Sequence, residues 1–322
     1  MDDKKIIEDK QISEFVIGEV SQGFFLIRSV ESRTASNNNK YLDFTLADKT
    51  GEINAKLWHC TEKDEAKYIA NKLVKVRGNV TQWQGRLQYI IEKVRLTTED
   101  DNLKVENFVP SAPYPAEEMY SEVLKYVGLI KNSEINMLVN ILLEENKDRL
   151  IYYPAAQKNH HSYRSGLLYH ITSMLKVGEG LSKVYEFINL DLLYAGIILH
   201  DIAKLFEMDS SELGIVSDYT MEGNLLGHIV QGIKMIERVA SEIEMNEETA
   251  ILLQHMILSH HNEPEFGSPK RPMIPEAELL HHIDTIDARM FDMKKNLDNI
   301  NEGDFSDRVW LLHNRKIYKP KV

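Results

Sequence analysis

Eleven of the twelve histidines lie beyond residue 159, and several close apolar runs or stand beside carboxylates. The key dipeptide is His200-Asp201, which ends the run Leu192-Leu193-Tyr194-Ala195-Gly196-Ile197-Ile198-Leu199. An imidazole and a carboxylate at the end of a buried helix are costly unless each finds a partner. Metal coordination satisfies both, because these groups are good ligands for Mn, Fe or Zn. Around the dipeptide stand His170 in Gly166-Leu167-Leu168-Tyr169-His170, His228 after Leu226-Gly227, and His260-His261 after Ile257-Leu258-Ser259. Asp284 follows in His281-His282-Ile283-Asp284. A lone histidine in such a place is more often a satisfied core or surface residue. The order H…HD…H…HH…D, with five imidazoles and two carboxylates, is much harder to obtain by accident. It reads as several helices aiming polar ends at one point, and bundle cores are a usual place for dinuclear sites.

The elements that must position these groups fall into two sets. From about Glu117 to Lys295 the apolar residues keep helical period, as in Val123/Val127/Ile130 and Ile251/Leu252/His255/Met256. From about Glu14 to Thr98 the pattern is that of strands. Leu42, Phe44 and Leu46 point one way, Asp48-Lys49-Thr50-Gly51 is a turn, and Ile53, Ala55 and Leu57 alternate with Asn54, Lys56 and Trp58. A first strand over Val16–Val30, a short helix over Glu62–Asn71, and strands over Leu73–Val80 and Leu87–Leu96 with a turn at Gln84-Gly85 complete the set. Five strands with a helix between the third and fourth is the order of an OB-fold barrel. Val109-Pro110-Ser111-Ala112-Pro113-Tyr114-Pro115 excludes helix and central strand and reads as a linker. The expected architecture is therefore multidomain: a β-barrel OB-fold over residues 1–108, a linker with leading helices over 109–160, an all-α bundle over 161–295, and a C-terminal tail over 296–322 that could serve in docking.

Composition sets the outer bounds. A hydrophobic fraction of 43% and a charged fraction of 27% are those of a soluble globular protein. No run approaches the roughly 18 apolar residues of a bilayer span. The charged opening MDDKKIIEDK lacks a signal peptide's apolar stretch, and the single Cys60 fits a reducing compartment, so a cytoplasmic location and no membrane partner are expected. The net charge of −12 argues at first sight against nucleic acid. Between residues 12 and 98, however, 13 Lys and Arg face 10 Asp and Glu, a balance of +3 that leaves −15 to the remainder.

Taken with an N-terminal OB-fold, the histidine order resembles that of the HD superfamily of metal-dependent phosphohydrolases. The fragments Asn159-His160-His161-Ser162-Tyr163-Arg164-Ser165-Gly166-Leu167-Leu168-Tyr169-His170 and Ser259-His260-His261-Asn262-Glu263-Pro264-Glu265-Phe266-Gly267-Ser268-Pro269-Lys270 narrow the likeness to the YhaM-type 3′→5′ exoribonucleases of Gram-positive bacteria. This resemblance implies a first metal held by His170, His200, Asp201 and Asp284. It implies a second that shares Asp201 and takes His228, His260 and His261. Manganese is the expected ion, with Fe²⁺, Co²⁺ or Zn²⁺ as alternatives. It further implies a 3′→5′ exonuclease that hydrolyses single-stranded RNA, or DNA, to nucleoside 5′-monophosphates, and a homo-oligomer.

Asp201 is then a catalytic residue as well as a ligand, and Lys204, Arg164 and His161 are candidates to stabilise charge at phosphorus or to guide the 3′ end. His255, off the helical face of His260, is expected in a supporting role, and His281 and His282 in packing or at the surface. On the barrel, Tyr41, Lys56 and Trp58 point outward, with Arg28 and Arg86 expected near them and Trp83 as a further platform. Aromatics for bases beside cations for phosphates form a sequence-tolerant single-strand surface. Two other functions fit the same residues. One is an HD-type nucleotide or cyclic-dinucleotide phosphohydrolase with a regulatory OB domain; the other is a non-catalytic RNA-binding protein.

Overall fold

The computed structural model describes residues 8–322, apart from the side chain of Phe266. Residues 1–7 of the charged N-terminal stretch lie outside it. The chain divides into two compact units, one ending at Pro110 and the other beginning at Ser111.

The first unit is a closed barrel. Its strands are β1 (Val20–Thr34), β2 (Lys40–Asp48), β3 (Gly51–Trp58), β4 (Leu73–Trp83) and β5 (Arg86–Leu96), ordered β1-β2-β3-β5-β4. Leu42, Phe44, Leu46, Ile53, Ala55, Val74, Val76 and Tyr89 fill the interior, and Tyr89 Oη donates to Ser21 O at 2.6 Å. The hairpin register follows the sequence alternation, pairing Tyr41 with Trp58 and Asp43 with Lys56. Gln84 and Gly85, with φ of 49° and 79°, make the two-residue turn that the strand twist favours. β1 starts at Val20 rather than Val16, because Gly18 turns the chain at φ 87°. It runs on to Thr34, which pairs with Lys40. Helix α1 spans Glu62–Lys67, opened by a Thr61–Asp64 capping box. It stops four residues short of the expected Asn71, since Tyr68 turns into the barrel core and its hydroxyl donates to Val94 O at 2.8 Å.

The second unit is helical: α2 (Ala116–Val127), α3 (Ser133–Leu150), α4 (Gly166–Ser182), α5 (Leu190–Leu199), α6 (Lys204–Glu207), α7 (Met221–Glu242), α8 (Glu247–Ser259) and α9 (Pro275–Leu297). Helix α5 is buried at every position from Leu192 to Leu199, which explains why its sequence is apolar all round. The leading helices α2 and α3 place Val123, Leu138 and Leu142 in the same core as Leu193, Ile197 and Ile198. A small hairpin, β6 (Met208–Ser210) with β7 (Val216–Tyr219), interrupts the helices where helical period had been expected throughout.

Helix α7 is broken at Gly227, whose φ of 69° and ψ of 167° belong to a region essentially reserved for glycine. The tail folds back on α9. Leu312 is fully buried, Phe305 bridges to Tyr318, and Lys319 Nζ donates to the carbonyls of Leu297 and Ile300 at the α9 terminus.

Candidate metal centre

Five helices supply the polar groups. His170 comes from the first turns of α4, His200-Asp201 from the end of α5, and His228 from just past the α7 break. His260-His261 end α8, and Asp284 lies within α9. The ligating atoms of Asp201, His228, His260 and His261 lie within 4.8 Å of one another, as do those of His170, His200 and Asp201, and those of His160, His170 and Asp284. Asp201 belongs to two of these groups. Its Oδ2 faces His200 Nε2 at 3.3 Å, and its Oδ1 faces His228 Nε2 at 3.4 Å and His260 Nε2 at 3.8 Å.

The ring orientations decide what this cluster is for. His200 Nδ1 meets the Ile197 carbonyl at 2.8 Å and His260 Nδ1 the Ile257 carbonyl at 2.7 Å. A carbonyl only accepts, so in each neutral ring the proton sits on Nδ1 and Nε2 keeps its lone pair. His170 Nδ1 meets Asp287 Oδ2 at 2.7 Å, and His228 Nδ1 meets Glu207 Oε1 at 3.0 Å. The four Nε2 atoms and Asp201 Oδ1 are buried and make no hydrogen bond. Five buried polar atoms left unsatisfied at one point would be expensive in any role except cation binding. A metal–nitrogen bond of about 2.0–2.1 Å separates neighbouring ligands by roughly 3.0–3.4 Å, the scale of the separations seen here. The residues present therefore fit a divalent cation, and Asp201 is common to both halves of the cluster that would hold it. Carboxylates and carbonyls behind ligating imidazoles are the usual means of fixing them.

Electrostatics agree with this reading at His160, His260 and His261. Burial holds His260 and His261 below the ordinary imidazole pKa and pushes His160 down to about 3, keeping them neutral and ligand-competent. Burial also opposes a charge on His170, but Asp284 and Asp287 outweigh it and lift that group to about 10. Burial would raise Asp201, yet Lys204 and the surrounding histidines keep its carboxyl well below the usual range. For Lys204, desolvation disfavours the ammonium and Asp201 more than reverses the effect.

An open cavity of about 610 Å³ gives access, lined among others by His160, Lys204, His228, His261, His281 and Asp284. Lys204 donates to Asp201 Oδ2 at 2.6 Å, so it stands beside the cluster. His161 does not face the cavity. It is 1% exposed, its Nε2 is 2.8 Å from Asp287 Oδ2 and its Nδ1 2.8 Å from Tyr163 Oη, which places it behind His170 instead of against a substrate.

Arg164 is likewise not a lining residue. Its backbone bridges to Ser111, and its guanidinium donates to Ser165 Oγ at 3.3 Å. His160, Glu207 and Asp287 are the functional residues that sequence reasoning missed. His255 Nε2 accepts from Met273 N at 2.9 Å, His281 Nδ1 meets the His260 carbonyl at 2.8 Å, and His282 pairs with Glu278 at the surface.

On the barrel, the Tyr41 and Trp58 rings lie 4.6 Å apart with Lys56 Nζ over both. Beneath them runs a polar ladder from Asp43 through Asn54 to Gln88. Arg28 and Arg86 are not beside this pair. Arg28 is engaged with Glu52 at 3.5 Å, and Arg86 lies four residues before Ile90, the partner of Lys56, which is about 13 Å along the strand. Arg33 takes the nearby place instead, opposite Tyr41 in register and 3.3 Å from Asp43. Trp83 is 63% exposed and pairs with Arg86 at the β4–β5 turn.

Residues 167–289 match the HD domain, and residues 26–97 match the OB-fold nucleic acid binding domain. Barrel, bundle and ligand set together define an enzyme of the metal-dependent phosphohydrolase class joined to a nucleic-acid-binding module. Over 311 residues the chain is 40% identical to the 3′-5′ exoribonuclease YhaM of Geobacillus sp. strain WCH70, covering 97% of this chain and 95% of that protein. It is 42% identical over 306 residues to the 3′-5′ exoribonuclease YhaM of Halalkalibacterium halodurans, covering 95% of each. The chain belongs to the YhaM family of 3′-5′ exoribonucleases. No helix among the described residues is long and apolar enough to cross a membrane.

Proposed function

We propose that this protein degrades single-stranded RNA from the 3′ end, releasing nucleoside 5′-monophosphates, with divalent manganese as the working ion. The observation that carries the reading is the convergence of four histidine Nε2 atoms and Asp201 Oδ1, all buried and without hydrogen bonds, beside an open cavity. Manganese suits this mixed imidazole and carboxylate set, as do Fe²⁺, Co²⁺ and Zn²⁺. When bound, such ions supply Lewis acidity to the phosphodiester and make water a nucleophile near neutral pH.

The chain's own residues do the rest. Asp201 holds the two halves of the cluster together and orients Lys204 at 2.6 Å. The Lys204 ammonium lines the cavity and is placed to meet charge that grows on the phosphoryl oxygens. Glu207 and Asp287 keep the His228 and His170 rings turned toward the substrate side. Tyr41, Trp58 and Lys56 present a stacking surface with a cation, worth about 1–3 kcal/mol per base and indifferent to sequence.

The experiment is digestion of 5′-labelled RNA, the same RNA with a blocked 3′ end, single-stranded DNA and free nucleotides, with Mn²⁺ and with the Asp201→Ala variant. The proposal expects stepwise shortening from free 3′ ends and 5′-monophosphate products, abolished in the variant while RNA binding persists. Internal cleavage, or hydrolysis of free nucleotides alone, refutes it.

A further inference from the structure

The cavity does not end at the metal cluster. Along α9 its wall continues from Asp284 through Thr285 and Ala288 to Arg289 and Asp292, and Leu311 of the tail closes that side. Five residues of helix separate Asp284 from Arg289, a rise of roughly 7.5 Å. The lining side chains between them, Thr285 and Ala288, are small, so the cavity stays open along the helix.

Among the described lining residues only Lys204 and Arg289 are Lys or Arg. Lys204 is committed to Asp201, whereas Arg289 has no carboxylate partner among the described residues and instead donates to His313 Nε2 at 2.9 Å. A ring nitrogen that accepts leaves the guanidinium's charge uncompensated and merely fixes its direction. His313 is itself held in place, because its neighbour Leu312 is fully buried. The surrounding walls carry Glu207, Glu263, Asp284 and Asp292, so beyond Lys204 an anion entering here meets favourable charge only at Arg289.

We propose that Arg289, braced by His313 of the C-terminal tail, binds the RNA phosphate one nucleotide upstream of the scissile bond and so distinguishes a polymer from its mononucleotide product. The inference rests on the exonuclease reading above and adds to it a substrate-positioning residue. A planar guanidinium suits a phosphodiester's two free oxygens. A released monophosphate carries no upstream phosphate and loses that hold, which favours its departure over that of the remaining chain.

The test compares a dinucleotide, which has the scissile phosphate alone, with a trinucleotide, which has one more upstream. The readout is the ratio of their kcat/KM values in Mn²⁺ buffer, measured for the intact protein, Arg289→Gln, Arg289→Lys and His313→Ala. The intact protein is expected to prefer the trinucleotide. Arg289→Gln reduces that ratio roughly 10- to 100-fold, the range for a lost charge-assisted hydrogen bond. Arg289→Lys restores part of it, and His313→Ala reduces it less than Arg289→Gln does. If Arg289→Gln slows both substrates equally and keeps the ratio, the proposal is overturned. If the intact protein cleaves neither oligonucleotide in Mn²⁺, the exonuclease reading fails and takes this inference with it.

Discussion

The role of Asp287 gives the sharpest test of how the metal cluster is built. Its Oδ2 accepts from His170 Nδ1 at 2.7 Å and from His161 Nε2 at 2.8 Å, in a buried setting. Replacing Asp287 by Asn keeps the shape and removes the charge. Each hydrogen bond then falls from the charge-assisted range, about 1.5–3 kcal/mol, to the neutral range, about 0.5–1.5 kcal/mol. The His170 ring thus loses about 1–2 kcal/mol of orienting energy. Substitutions behind ligating histidines typically weaken metal binding about 10- to 100-fold; the orienting loss, about 5- to 30-fold at about 1.4 kcal/mol per tenfold, overlaps the lower part of that range. The assay is RNA hydrolysis against buffered free Mn²⁺, backed by calorimetric titration of the chelated protein. Asp287→Asn is expected to raise the half-saturating Mn²⁺ concentration 10- to 100-fold, with most of the activity returning at high metal. An unchanged half-saturation point in a folded variant would refute the orienting role, and with it the argument that the ring directions imply coordination.

Three further outcomes are expected. Gly227→Ala places a Cβ where φ is 69° and ψ is 167°, at a cost of about 1–3 kcal/mol; thermal melting should record that loss, and Mn²⁺ affinity should fall with it because His228 is the next residue. Trp58→Ala removes half of the Tyr41–Trp58 pair, and fluorescence titration with a single-stranded oligoribonucleotide should show a loss of about 1–3 kcal/mol, independent of base sequence. The chelated protein should lose stability as pH falls from about 7 to 5.5. Burial depresses His160, His161, His260 and His261, so below about pH 6.5 the unfolded chain binds protons that the folded one refuses. His170 acts oppositely, but its contribution changes mainly between about pH 6.5 and 10, above most of that window, so the four depressed groups set the sign. Urea denaturation midpoints at several pH values check the sign; a midpoint that rises on acidification contradicts it.

The parts of this molecule that could be read from the chain were those with a period. Alternation over residues 41–58 set the hairpin register and the outward face that carries Tyr41, Lys56 and Trp58. Apolar runs ending in histidine or aspartate marked the helix ends that converge on Asp201. Direction at irregular backbone was not legible. His161 and Ser165 have φ of 51° and 62°, and this contorted segment turns His160 toward the cavity and His161 away from it. Neighbours in sequence therefore have different roles.

Glu207 reaches His228 only because α7 breaks at Gly227 and exposes the His228 amide to the same carboxylate at 3.1 Å. No spacing rule announces such a contact. Asp287 was within reach, since it lies three residues beyond Asp284 and hence on a neighbouring face of α9. The β6–β7 hairpin was hidden by its size, with strands of three and four residues.

The whole account turns on Asp201 bridging cations, and anomalous scattering from crystals grown with Mn²⁺ measures that directly. The account predicts strong peaks against Asp201, within coordination distance of His228 and His260 on one side and of His170 and His200 on the other. A map with no manganese at Asp201, from protein that hydrolyses RNA under the same conditions, would contradict it.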